Sequence, residues 1–249
     1  MFSAALLAAV FGTSVLSGVF GMAGGLVLMG VFTALLPVAA AMVTQGSVQF
    51  IANGGRAFLH REHIQWRIVA IYTAGSLLIT AALALAQFQP SKPWVFLFLG
   101  LVPLAVWTPK DWVQIDAAKG SHAFACAILV SGFNIAAGSA GPLLDVFFIR
   151  TALTRHQIVS TKSAVQTLAH ATKVAYYGAA ILAAPGTNSG LPPAWFFAAM
   201  VPISVAGTWA GGLVLDRLSD TRFKAITRLL VTAVGCFYLL TAAQLFLSS

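Results

Sequence analysis

The sequence predicts an all-α, polytopic membrane protein of two inverted-topology repeats, with 6 to 8 membrane segments and glycine-broken or re-entrant helices at 2–36 and 122–149. Three observations predict it. Apolar residues make up 59% of the 249 and charged residues 8%, about a third of the fraction usual in globular proteins. Uncharged apolar stretches cover 2–55, 68–91, 93–109, 123–144, 174–215 and 229–249, and a bilayer needs about 20 such residues per helix. Motifs of the first half recur in the second with the charges of equivalent turns exchanged. A transmembrane β-barrel would show short alternating segments with a polar lumen face, and here continuous apolarity replaces alternation.

The elements follow in order. Residues 2–20 lack the basic stretch that opens a signal peptide and run into more apolar sequence, so they read as the first helix of the mature chain. GMAGG, 21–25, breaks that helix, and a new one restarts at Leu26 and ends at Leu36-Pro37. A polar helix then carries Gln49, Asn53 and Arg56 and ends in a basic turn, His60 to Arg67. Apolar spans at 68–91 and 93–109 complete a first repeat, 1–109, and Lys110 to Lys119 form a charged turn. The second repeat, 122–249, opens on a span broken by AAGSAGP, 136–142, with a restart near Pro142. Its polar helix, reached through Arg150, Arg155 and His156, carries Gln166, His170 and Lys173. The neutral loop 184–193, a span to 215, the basic turn Arg217 to Lys224 and a last span follow, and the whole is one transmembrane domain, 1–249.

Duplication rests on two correspondences. Ser17-Gly18 before the first break matches Ser131-Gly132 before the second, with Gly24 and Gly138 separated by 114 residues. Val48-Gln49, Ala52, Asn53 and Arg56 match Val165-Gln166, Ala169, His170 and Lys173 at a separation of 117. A third match, Ala74-Gly75 with Ala206-Gly207, carries no weight, since an alanine-rich chain yields such pairs by chance. In the first half the turn at Leu36-Pro37 is neutral and the next is basic, whereas in the second half the basic turn comes first. Under the positive-inside rule, that exchange is what an inverted repeat produces. Placing all the basic turns on one face requires the chain to enter and leave 122–149 on the same side. Hairpins at 2–36 and 122–149 satisfy this; eight plain spans with some basic loops outside are the alternative.

The breaks imply a polar ligand. Irregular backbone at membrane depth leaves N–H and C=O groups unpaired, which is tolerated only where protein or a water-filled cavity supplies partners. Each restarting helix presents free N–H groups and a positive dipole end, which attract anions. Pro142 suits a first turn, and glycine lets a ligand reach the backbone. One such motif alone would read as close helix packing; two at equivalent places favour a site. On a helix, Gln49, Asn53 and Arg56 at i, i+4 and i+7 share a face, as do Gln166, His170 and Lys173. Arg56 either faces the cavity or snorkels to the interface. The candidate site is Gly24, Gly25, Gln49, Asn53 and Arg56 with Ser139, Gly141, Gln166, His170 and Lys173. Asp145 and His170 are candidate coupling groups; for Asp145 the plain reading is a dipole partner in the first turn of its helix.

Other features read as structural. Cys126 and Cys236 lie in apolar spans without metal-ligand spacing and are expected to be buried thiols, with no metal or cofactor implied. The net charge of +8 comes from Lys and Arg scattered at helix ends, not from a nucleic-acid surface. Asp111, Asp116, Asp216 and Asp220 belong to turns, and Trp66, Trp94, Trp107, Trp112 and Trp195 to interfacial belts.

Taken together, SGVFGMAGGLVLMG (17–30), Leu36-Pro37, HREHIQWR (60–67), GFNIAAGSAGPLLDVFFIR (132–150) and STKSAVQTLAHATKVAYYG (160–178) resemble the TauE/SafE sulfite exporter family, also called the toluene-sulfonate uptake permeases. GMAGG departs from that family's GxGGG form at Ala23 and Leu26. The resemblance implies a secondary transporter in a bacterial cytoplasmic membrane, carrying sulfite, sulfoacetate or related sulfonates and coupled to H+ or Na+, with a homodimer left open. The chain carries no nucleotide-binding motif. Nor does it carry HExxH or paired intramembrane aspartates for an intramembrane enzyme; a passive anion channel is the other alternative.

Overall fold

The computed structural model describes residues 2–20, 23–109, 115–148, 150–183, 189–215 and 217–248. Gly21, Met22, Trp112, Asp111, Asp216 and most of the loop 184–193, each singled out above, lie outside the described residues. Within these, ten helices form: α1 (Phe2–Phe20), α2 (Ala23–Leu35), α3 (Val38–Leu59), α4 (Trp66–Leu85), α5 (Lys92–Trp107), α6 (Gly120–Ala137), α7 (Gly141–Phe148), α8 (Arg155–Leu182), α9 (Ala194–Leu215) and α10 (Asp220–Leu247). Five of them, α1, α4, α6, α9 and α10, are long and apolar enough to cross a membrane. The chain is a polytopic all-helical membrane protein.

Close approaches at glycine fix the directions. A Cβ on Gly207 would meet Phe11 and Ser14, and one on Gly211 would meet Val15 and Gly18, so α1 and α9 run parallel. Gly75 lies against Phe124 and Ala127, and Gly132 against Ile79, so α4 and α6 run parallel too. The pairs α3 with α8 (Gly46 on Val174, Gly54 on Thr167) and α5 with α10 (Gly100 on Leu239, Gly235 on Pro103) are antiparallel. These four are the most extensive helix contacts. The dismissed Ala74-Gly75 and Ala206-Gly207 match therefore falls on two corresponding interfaces, where small residues let backbones meet.

Both broken segments are hairpins. Gly24 of α2 packs back on Thr13 and Ser17 of α1. Ala117 N donates to Phe147 O at 2.9 Å, which ties the end of α7 to the strand of chain entering α6. At about 1.5 Å per residue, α1 (19 residues) reaches about 28 Å, whereas the return limb α7 (8 residues) reaches about 12 Å. With this path, the described turn residues His60, Arg61, Arg67, Lys119, Arg150, Arg155, Arg217 and Arg222 share one face, while Pro37 and Gly190 meet on the other.

The restarts differ slightly from expectation. α2 begins at Ala23 and not at Leu26, which puts Gly24 and Gly25 inside its first turn. α7 begins at Gly141, so Pro142 sits in the first turn and Asp145 falls beyond it. The dipole reading of Asp145 is thereby corrected: its carboxylate pairs with Lys162 of α8. α6 ends on Gly138 in the left-handed region (φ 79°), a conformation that favours glycine. Cys126 is buried as expected, but Cys236 is exposed on the outer face of α10.

The polar helices occupy the centre because they face each other. Neither α3 nor α8 qualifies as an apolar span, and their mutual contact hides the residues that lipid would reject. α8 is launched by a capping box in which Thr154 Oγ1 accepts from Gln157 N at 3.3 Å and Gln157 Oε1 accepts from Thr154 N at 3.0 Å. Replacing Thr154 with Ala is expected to cost about 1 kcal/mol, read as a lower unfolding temperature in detergent. Trp66, Trp94, Trp107 and Trp195 lie exposed at helix ends, as belts require. Trp209, exposed in the middle of α9, does not belong to a belt.

Candidate functional site

A cavity of about 470 Å³ opens between α1, α3, α8, α9 and the two breaks. Four of the five expected first-half residues line it, Gly25, Gln49, Asn53 and Arg56, and so do Ser139, Gly141, Gln166 and His170 from the second half. The two stripes meet because α3 and α8 are antiparallel partners, so equivalent residues approach from opposite directions. Leu59 and His60 also line the cavity, which places its mouth toward the basic face.

Each wall has a physical reason. Gly25 leaves room for the Gln49 amide, since a Cβ there would lie 2.8 Å from Gln49 Nε2 and would push that side chain aside. Asn53 Nδ2 donates to Gln49 O at 2.9 Å, holding the stripe in line. Ser139 and Ala140 are non-helical and bring the first turn of α7 to the cavity, where its leading N–H groups have no partners within the helix. His170 is buried, and its Nδ1 has no hydrogen-bond partner. A buried polar atom left unpaired is costly, so the position suits a group that meets a ligand.

Two expected residues stand outside the lining. Gly24 packs on α1 and serves the hairpin turn. Lys173 is wholly buried behind the cavity, where its ammonium donates to Gly138 O at 2.7 Å and to Gln45 Oε1.

Sequence reasoning missed several lining residues. Gln45 lies one turn before Gln49, and Lys162, which lines a second cavity, lies one turn before Gln166, again 117 apart, so extending the stripes by i−4 would have found both. Ser14, Ser17, Ser204 and Thr208 had no such signal, because α1 and α9 are uncharged, mostly apolar spans and only their packing turns these residues inward; Trp209 borders the cavity while staying largely exposed. A second cavity of about 460 Å³ lies beyond Arg56 and Gln166, which line both; Lys162, Asp145 and Arg228 face it. Arg56 thus stands in a partition between two cavities. Among the described residues, no group of three or more His, Cys, Asp or Glu is placed to hold a metal ion.

A model of the sulfite exporter TauE/SafE family matches residues 6–238, nearly the whole chain. Neither a curated protein nor a solved structure matches it. With its membrane-spanning helices and a match of that extent, the chain is an integral membrane protein that belongs to the sulfite exporter TauE/SafE family.

Proposed function

We propose that the protein is a secondary transporter of sulfur-containing anions such as sulfite, sulfoacetate and related sulfonates, working by alternating access around the 470 Å³ cavity in a bacterial cytoplasmic membrane. The observation that carries this reading is the convergence on one cavity of the first turns of α2 and α7 with Arg56 and with His170, whose Nδ1 has no hydrogen-bond partner. Helix N-termini, backbone amides and a guanidinium hold an oxyanion without a large apolar pocket. Half-helix ends pointing at an anionic substrate are a recurring transporter arrangement.

An inverted repeat of 1–109 and 122–249 supplies the motion. Exchanging α1–α5 with α6–α10 turns the α1·α9 contact into α6·α4 and leaves α3·α8 and α5·α10 in place. Such pseudo-symmetry supports two equivalent states, one the mirror of the other in access, reached by rocking one half against the other. His170 is a buried protonatable group on the cavity wall, and Asp145, paired with Lys162, sits at the second cavity.

The test is a thermal-shift panel of sulfite, sulfoacetate, taurine, sulfate and acetate on the purified protein. A ligand at a hundred times its Kd stabilises by about 2.7 kcal/mol, and for a chain of this size that raises the melting temperature by about 5–11 °C. Sulfite or a sulfonate is expected to give such a shift and acetate none. A panel in which no sulfur anion exceeds acetate removes the proposal.

A further inference from the structure

One hydrogen-bond relay joins the two breaks. Lys173 Nζ donates to Gly138 O at 2.7 Å and to Gln45 Oε1, and Gln45 Nε2 donates in turn to Gly25 O at 3.3 Å. Gly25 belongs to the first turn of α2, and Gly138 ends α6. The relay runs in one orientation only. A carbonyl only accepts and an ammonium only donates, so the Gln45 amide must turn its oxygen to Lys173 and its nitrogen to Gly25.

Among the described residues, none supplies Lys173 with a counter-charge. From α3 it meets Gln45 and Gly46, and from the α6–α7 break it meets Gly138, none of which titrates. On its own helix the titratable neighbours are His170, Tyr176 and Tyr177. The Tyr177 hydroxyl is committed to Ile135 O at 2.7 Å, and the Tyr176 hydroxyl to Phe88 O at 2.5 Å. The acids described lie elsewhere: Asp145 pairs with Lys162, while Glu62 and Asp116 sit in turns. A wholly buried ammonium bound only to neutral oxygens is an unusual way to build a static brace. It suits a group that gives up its proton, which lysine does in buried sites and arginine does not.

We propose that Lys173 is the proton carrier of the transport cycle, its protonated form fastening the two breaks together and its neutral form releasing them. This rests on the carrier reading above. In the releasing step one Nζ–H bond breaks, its electron pair stays on nitrogen, and the proton passes to water in the cavity. His170, three residues earlier on the same face, lines that cavity with Nδ1 unpartnered and provides the route. The amine left behind has a buried lone pair that needs a donor. Turning the Gln45 amide supplies one, but then Gln45 Oε1 faces the Gly25 carbonyl, acceptor against acceptor, and the relay parts. Each proton released thus frees α2 from α8.

The test uses the full chain in proteoliposomes with radiolabelled sulfite, measuring counterflow at equal pH and accumulation under a pH difference of either sign. Wild type is expected to show both. Lys173→Met is expected to keep counterflow while its accumulation ratio falls to unity. Lys173→Arg, which holds its proton, is expected to retain the sulfite thermal shift and lose both transport readouts. Accumulation by Lys173→Met equal to wild type, cycling by Lys173→Arg at the wild-type rate, or wild-type accumulation indifferent to the pH difference would each overturn the proposal. If Lys173→Met does not fold, the last two measurements decide. Absence of counterflow in wild type instead removes the carrier reading itself, so the two failures are told apart.

Discussion

Gly211→Val is expected to lower the melting temperature of the detergent-solubilised protein by about 6–12 °C, while Gly212→Val, one residue along the same helix, leaves it nearly unchanged. A Cβ on Gly211 would lie 2.8 Å from Gly18 Cα and would also strike Val15 O, whereas one on Gly212 has nothing within 4 Å. The atoms in the way are backbone, so neither a rotamer change nor a flexible side chain relieves the clash. Overpacking of this kind costs about 3 kcal/mol, which sets the expected shift for a chain of this length. The consequence is functional as well as structural. α1 carries Ser14 and Ser17 and α9 carries Ser204 and Thr208, so parting the two helices opens one wall of the cavity. Equal melting temperatures for the two variants would mean that the α1–α9 contact is looser than its geometry indicates.

Arg56→Ala is expected to weaken binding of the preferred sulfur anion by roughly 10–150-fold, the worth of a charge-assisted hydrogen bond of about 1.5–3 kcal/mol. Arg56 lines both cavities, so an anion moving between them passes its guanidinium. Lys119→Ala provides the control. That side chain is exposed at the start of α6, on the basic face and away from either cavity, and its loss is expected to leave affinity unchanged. Titration calorimetry on both variants distinguishes a ligand-binding guanidinium from one that only snorkels: if Arg56→Ala binds as tightly as wild type, the charge serves the membrane interface.

How far the sequence reached differs from residue to residue. The stripes Gln49, Asn53, Arg56 and Gln166, His170, Lys173 were legible because helical periodicity puts i, i+4 and i+7 on one face regardless of what packs there. Five of those six line the cavity. Lys173 does not, although it obeys the same spacing, because α3 and α8 cross closely at Gly46 and the end of the stripe is sealed between them. Periodicity gives a face; depth along that face depends on the crossing partner. Gly24 and Gly25 make the same point within one turn: the first is used by α1 and the second opens on Gln49. Trp209 and the serines of α1 and α9 were invisible, since in a bilayer an apolar helix has no polar face to announce its inward side.

The sequence by itself determined that the chain crosses a membrane, where its helices are interrupted, and which residues carry polar chemistry at that depth. Those properties follow from local composition and spacing, which a bilayer reads directly, because it offers unpaired backbone groups no water. Only the tertiary structure decided that α3 and α8 pair at the centre, that Lys173 ties one break to the other through Gln45, and that Arg56 stands between two cavities. Which helices become neighbours depends on where backbones can approach. That is set jointly by glycines more than a hundred residues apart, such as Gly18 and Gly211, and no single stretch of sequence contains both.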